Sequence, residues 1–398
     1  MNSLKSISGL TAATLVVAII SMLYQFILSG ILLPSEFAIF SLSLSVVLIS
    51  GYPAIGMSNE FTRRVKLGEE YRSGRFNKSG FLGIILVISF FSAALSFFLF
   101  SSWITTAIVA SVVCIGLFSN TTNGWWIGKM KFAEFGIFSV FSSLLKLFIG
   151  VGIILIYPHG EYAIISYGIG FMALPMIALL WNRNEFLNDL SIIFQDFERL
   201  LSSAFAYIVL GFLMNQDILI SSMLLPQILF EKYVYISLLT KSVLIVHGPI
   251  VAVMIPRLVE SWNLDEGLEQ ISIQGTFRKY YVILAILTGA ICLFGGVMLQ
   301  EINTNWEKQI SQFNFQLMVV YFMMVGLTLI DINILISKGM VTKEIIPKII
   351  CLLIPIFIFI LLGERNDISE FVRFLLFLSF GQLIVSRFLF RTDLSRRG

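Results

Sequence analysis

Apolar residues in this chain fall in blocks of about 20, separated by short polar stretches, and the alternation persists almost to the end of its 398 residues. An α-helix rises about 1.5 Å per residue, so a block of this length matches the roughly 30 Å hydrocarbon thickness of a bilayer. Bounding each block by its charges predicts twelve helices. They lie at about 7 to 30, 37 to 59, 80 to 101, 104 to 126, 134 to 157, 161 to 181, 201 to 225, 232 to 256, 280 to 300, 315 to 337, 347 to 362 and 370 to 390. The pattern predicts an all-α polytopic membrane protein. No small-residue cleavage pattern follows the first block, which ends at Leu32-Leu33-Pro34, so the first helix is expected to stay in the mature protein.

Charge adds an orientation. With the N-terminus inside, 21 of the 27 basic residues fall in cytoplasmic segments and three, Lys232, Lys308 and Arg365, in outside loops. The bias places both termini in the cytoplasm by the positive-inside rule. Trp103, Trp125, Trp126, Trp181 and Trp306 sit near predicted span ends, where amphipathic rings favour the headgroup level. Composition agrees: 57% of residues are hydrophobic and 13% charged, with a mean hydropathy of +0.91, outside the usage of soluble domains.

The halves also echo each other. Phe37-Ala-Ile-Phe-Ser-Leu and Tyr233-Val-Tyr-Ile-Ser-Leu stand at an offset of 196, which also pairs Ser41 with Ser237 and Pro53 with Pro249. Each stretch follows a Leu-Leu-Pro, at 32 to 34 and at 224 to 226. Two lobes of six helices are therefore expected, an N-terminal lobe at 1–182 and a C-terminal lobe at 201–398, joined by a cytoplasmic linker at 183–200. Pro53 and Pro249 interrupt helices two and eight and are candidate hinges.

Candidate chemistry is sparse. The three cysteines and two histidines show no metal-ligand or disulfide spacing, and no glycine-rich nucleotide fingerprint is present, so no cofactor and no metal is expected. What stands out is polarity inside the spans. Helix one carries Thr14, Ala18, Ser21, Gln25 and Ser29 on one stripe; helix three carries Ser89, Ser92 and Ser96; helix five has Ser139, Ser142 or Ser143, Lys146 and Gly150; helix eight has Ser237 and Lys241. Serine-only stripes suit close helix packing. Ionisable groups at membrane depth mark functional sites by default. That singles out Lys146 and Lys241 with Gln25 as candidate substrate contacts. Asp217, Asp331 and His247 are candidates for gating or coupling, and buried salt bridges are the structural alternative.

Four stretches carry a family resemblance: Leu32-Leu33-Pro34-Ser-Glu-Phe37-Ala-Ile-Phe, Gly128-Lys129-Met-Lys131-Phe132, Asn215-Gln216-Asp217 and Ser337-Lys338-Gly339-Met-Val-Thr-Lys343. Through them the chain resembles the polysaccharide transporter branch of the multidrug, oligosaccharidyl-lipid and polysaccharide (MOP) exporter superfamily, in particular Wzx-type O-antigen flippases. Where family members often have a basic residue after the helix-seven aspartate, this chain has Ile218. The resemblance implies two lobes around a central cavity in a bacterial inner membrane. It also implies movement of a polyprenyl-diphosphate-linked oligosaccharide from the cytoplasmic to the periplasmic leaflet, as part of lipopolysaccharide biosynthesis. Implied partners are that lipid-linked oligosaccharide, membrane lipids, and the polysaccharide polymerase and chain-length machinery, with no nucleic acid.

A diphosphate-linked sugar cannot cross hydrocarbon unaided, because each polar or charged group costs several kcal/mol to strip of water. On this reading Lys146 and Lys241 meet the diphosphate, and Asp217 and Asp331 tune that charge. A drug or cation exporter of the same superfamily is the alternative, against which the two lysines argue. A membrane-embedded O-antigen polymerase or ligase would need a long periplasmic loop, and no predicted outside loop exceeds about fifteen residues. A transporter rather than an enzyme is expected.

Overall fold

The computed structural model describes residues 2–67, 78–129, 131–184, 186, 197–246, 282, 285–286, 288–291, 293, 312–337, 352 and 367–395. These residues are helical apart from short corners, with no strand among them. In hydrocarbon every backbone N–H and C=O needs an internal partner, and the α-helix supplies them within one segment. The elements are α1 (Asn2–Ile31), α2 (Pro34–Leu67), α3 (Lys78–Phe100), α4 (Trp103–Gly128), α5 (Phe132–Ile156), α6 (Gly160–Trp181), α7 (Phe197–Leu224) and α8 (Gln227–Thr240). A 3-10 turn (Lys241–Val246) follows α8, then come α9 (Gln312–Ser337) and α10 (Ile368–Ser395). Eight of these helices are long and apolar enough to span a bilayer. The chain is an all-α, multi-pass membrane protein.

α1 to α8 correspond to the first eight predicted spans, α9 to the tenth and α10 to the twelfth. Most of the predicted ninth and eleventh spans, together with His247, Pro249 and Trp306, lie outside the described residues. Two boundaries differ from expectation. α2 runs on to Leu67 through the polar stretch after Ser58, since a helix does not stop where hydropathy does. α8 starts at Gln227, straight after Pro226, and at Lys241 its α-helical geometry tightens into a 3-10 turn, while positions 247–256 of the predicted span lie outside the described residues.

The chain forms two compact units, Met1–Asn215 and Gln216–Gly398. In the first unit, glycines and serines let helices approach closely. A Cβ at Gly124 would lie 2.4 Å from the Ser58 backbone oxygen, so α4 and α2 touch there backbone to backbone. α5 and α6 meet where Ser142 Oγ donates to Gly170 O at 2.5 Å. α1 meets α5 where a Cβ at Gly136 would lie 3.0 Å from Ala13 Cβ. Ser92 of α3 donates to Ser50 Oγ of α2 at 2.6 Å, a packing role for that serine stripe. Such contacts stand in for the hydrophobic effect, which is absent between helices already in lipid.

Glu36 organises one end of this unit. Its Oε2 accepts from the backbone N–H of Gly160 at 2.7 Å, capping the first residue of α6 from the first turn of α2. Nearby, Ser102 caps α4 by accepting from Thr105 N at 3.3 Å, and Thr105 Oγ1 donates to Glu161.

The tryptophan expectation needs correction. Trp103 and Trp181 are exposed on the apolar surface, whereas Trp125 and Trp126 are fully buried. Those two rings pack on each other at 5.0 Å. Trp125 also meets Phe186 at 5.4 Å, and Lys131 Nζ stands 5.2 Å from the Trp125 centroid. Aromatic packing inside the unit turns these two rings away from lipid, while they remain in the last turn of α4.

In the second unit, α7, α9 and α10 share a buried amide pair. Gln216 Nε2 donates to Gln382 Oε1 at 3.0 Å and to Tyr321 Oη at 3.2 Å. Gln382 Nε2 donates back to Gln216 Oε1 at 2.9 Å and to Leu352 O at 3.2 Å. All four amide N–H groups are satisfied, which a buried amide in lipid requires.

Candidate functional site

Lys146 lies on the face of α5 that the Ser142 and Gly150 spacing predicts, and it is 7% exposed. Its ammonium donates to Ser21 Oγ of α1 at 2.8 Å. It also faces the Tyr167 ring of α6 at 4.3 Å and the Tyr24 ring of α1 at 5.9 Å. No carboxylate among the described residues pairs with it. Both tyrosines are held in place. Tyr24 Oη bonds Ser166 Oγ at 2.7 Å and donates to Ala163 O at 3.1 Å, while the Tyr167 ring packs on the rings of Tyr24 at 5.9 Å and Phe40 at 6.3 Å. Two glycines make the room. A Cβ at Gly150 would fall 2.5 Å from Tyr24 Oη, and one at Gly170 would fall 3.1 Å from Lys146 Cβ.

Of the predicted contacts, Lys146 meets the polar stripe of α1 at Ser21, the helix that also carries Gln25. The charges of the second unit are arranged differently. Lys241 Nζ forms an ion pair with Asp217 Oδ1 at 2.9 Å, with the carboxylate fully buried and the lysine side chain 24% exposed. Asp217 Oδ2 accepts from Ser237 Oγ at 2.5 Å and from Tyr233 Oη at 3.4 Å. The pair sits where α8 gives way to the 3-10 turn, which begins at Lys241. Asp331 of α9 accepts from Arg387 Nε of α10 at 2.9 Å and from Ser386 Oγ at 3.1 Å. Pro53 is buried within α2, and Asn120 Nδ2 of α4 donates to the carbonyl of Gly51 beside it at 3.4 Å. No group of three or more metal-ligating side chains occurs among the described residues.

The sequence did not single out Tyr24, Tyr167 or Arg387. The tyrosines had no signal, being two of twelve in an aromatic-rich chain. Arg387 was counted with the cytoplasmic arginines, although its place one residue after a serine on an apolar helix was a signal.

Comparison with solved structures finds the same helical architecture. A MATE transporter in the bent conformation matches over 100% of this chain and 96% of its own, at 13% identity and a TM-score of 0.68. The fold is MATE-like. A MATE transporter in the straight conformation matches over 98% of this chain and 96% of its own, at 14% identity and a TM-score of 0.67. A MOP superfamily transporter from Pyrococcus furiosus Vc1, described as having a binding pocket of reversed polarity that suggests a different function, matches over 98% and 96% at 13% identity and a TM-score of 0.64. No family model and no curated protein sequence matches the chain. These likenesses show a MATE-like fold with two lobes of helices.

Proposed function

We propose that this chain is a transporter, not an enzyme, that flips an anionic lipid-linked oligosaccharide by alternating access. The substrate of this reading is a polyprenyl-diphosphate-linked O-antigen unit, carried from the cytoplasmic to the periplasmic leaflet of a bacterial inner membrane. One observation carries the reading: Lys146 is a buried cation that no described carboxylate neutralises. A lone ammonium in a low-dielectric interior is costly. An anionic ligand turns that cost into binding free energy, and a diphosphate is such a ligand. Lys241 is the second cation of the reading, masked by Asp217, and exchange of that carboxylate for ligand phosphate would serve as a gate. Asp331, paired with Arg387, holds α9 to α10 on the same reading.

Export of an organic cation is the second reading, favoured by the likeness to MATE transporters. A cation needs an unpaired carboxylate, and both Asp217 and Asp331 are ion-paired. The pocket of reversed polarity described for the Pyrococcus furiosus relative supports the idea that one fold can serve opposite charges.

Depletion of the protein is expected to accumulate polyprenyl-diphosphate oligosaccharide, read by mass spectrometry of the lipid extract. Lys146→Ala is expected to cut surface O-polysaccharide by about tenfold at matched membrane abundance, and Lys146→Arg to restore part of it, since arginine keeps the charge but not the point geometry. Full surface polysaccharide in Lys146→Ala, with raised drug susceptibility instead, would transfer the assignment to the cation exporter.

A further inference from the structure

The Lys146 site holds its charge by an unusual means, and this inference rests on the diphosphate reading of that site. An ammonium has three N–H donors, and Ser21 Oγ takes one of them at 2.8 Å. Among the described residues the ammonium also faces two aromatic rings, Tyr167 at 4.3 Å and Tyr24 at 5.9 Å from the ring centroids. Their rings stand 5.9 Å apart, inclined at 55°, and reach α5 from two different helices, α6 and α1. Tyr24 is anchored by its own hydroxyl on Ser166 and Ala163, and the Tyr167 ring is braced against the rings of Tyr24 and Phe40.

An aromatic face differs from a carboxylate in one decisive respect. It stabilises a cation through the ring quadrupole while adding no negative charge. Asp217 neutralises Lys241, so a phosphate approaching that lysine must displace a countercharge. Among the described residues no carboxylate opposes a phosphate at Lys146. We infer that Tyr167 is a positioning residue for the anion site, its ring and that of Tyr24 forming a neutral cradle that keeps the Lys146 ammonium in place, net positive and open to a diphosphate. Tyr167 thereby sets charge selectivity without touching the ligand. A carboxylate in its place would hold the lysine as firmly and close the site to anions.

The test uses the full-length protein in lipid nanodiscs with inorganic pyrophosphate as probe, followed by isothermal titration calorimetry. Tyr167→Phe keeps the ring face and is expected to bind within about 3-fold of the wild type, while Tyr167→Leu is expected to weaken binding on the order of 10-fold. In a Lys146→Gln background, Tyr167→Leu should add no further loss, because the two residues act as one unit. Phenylalanines of increasing fluorination at position 167 keep the shape while draining the ring quadrupole, so affinity should fall stepwise with each fluorine even if Tyr167→Leu fails to fold. Affinity indifferent to fluorination, a Tyr167→Phe loss equal to that of Tyr167→Leu, or losses that multiply in the double variant would each overturn the cradle. Pyrophosphate bound by Lys146→Gln as tightly as by the wild type, or not bound by the wild type at all, would overturn the diphosphate reading beneath it.

Discussion

Asp217 has no contact with solvent, and among the described residues the groups that meet its oxygens, Lys241, Ser237 and Tyr233, come from α8 or the residue that ends it. Removing one partner of such a pair strands the other charge, which costs about 3–5 kcal/mol, whereas replacing both by apolar residues of similar volume is close to neutral. Asp217→Asn is therefore expected to lower thermal stability in detergent sharply, and Asp217→Leu combined with Lys241→Met to recover most of the loss. Equal melting temperatures for the wild type and Asp217→Asn would show the pair to be energetically idle. At this scale the sequence was legible wherever a formal charge interrupted an apolar run, which is how Lys146, Lys241, Asp217 and Asp331 stood out. Who partners whom was not. Tyr24 and Ser166 are 142 residues apart, and tyrosine is amphipathic enough to serve equally as lipid-facing filler, so nothing along the chain marks it as part of a site.

Helices form where hydropathy predicts because hydrocarbon forces backbone pairing, but their ends are fixed by local chemistry. The corners make this plain. Pro34 opens α2 and Pro226 immediately precedes α8, so the Leu-Leu-Pro match seen in the sequence marks the same event twice, a helix restart at a residue whose missing N–H costs nothing there. At the offset of 196 the buried positions Phe37, Ala38 and Phe40 of α2 correspond to Tyr233, Val234 and Ile236 of α8, although α8 also buries Phe230, whose counterpart Pro34 is not buried. The Glu36 cap on α6 spans 124 residues and had no sequence signal beyond an acidic residue in a helix first turn. Glu36→Ala leaves the Gly160 N–H without its acceptor and is expected to cost about 1 kcal/mol, seen as a lower melting temperature. Glu36→Gln, which keeps an acceptor oxygen, should recover roughly half. An unchanged melting temperature in Glu36→Ala would show that solvent replaces the cap.

For the whole molecule, charge bias predicts the orientation and the structure says where to probe it. Gly160 would be a poor labelling position, because a Cβ there would fall 2.1 Å from the Glu36 carbonyl oxygen. His159 beside it is exposed. In a background without native cysteines, His159→Cys is expected to react with an impermeant thiol reagent added outside and Gly68→Cys to remain protected; the reverse pattern would invert the topology. The two-lobed plan and the all-helical class were legible in the sequence because the bilayer reduces them to counting. The spatial meeting of α1, α5 and α6 at Lys146 was not, since stripes on separate helices carry no information about which faces which. On the diphosphate reading that meeting has an electrical consequence. A diphosphate brings about two negative charges, so a site holding one uncompensated lysine would be net negative when loaded and net positive when empty. With the cell interior negative, the loaded step outward and the empty step inward would then run downhill together, each by roughly 2.3 kcal/mol per unit charge for every 100 mV. Without the lysine, the whole voltage would act on the loaded step and none would help the empty carrier return.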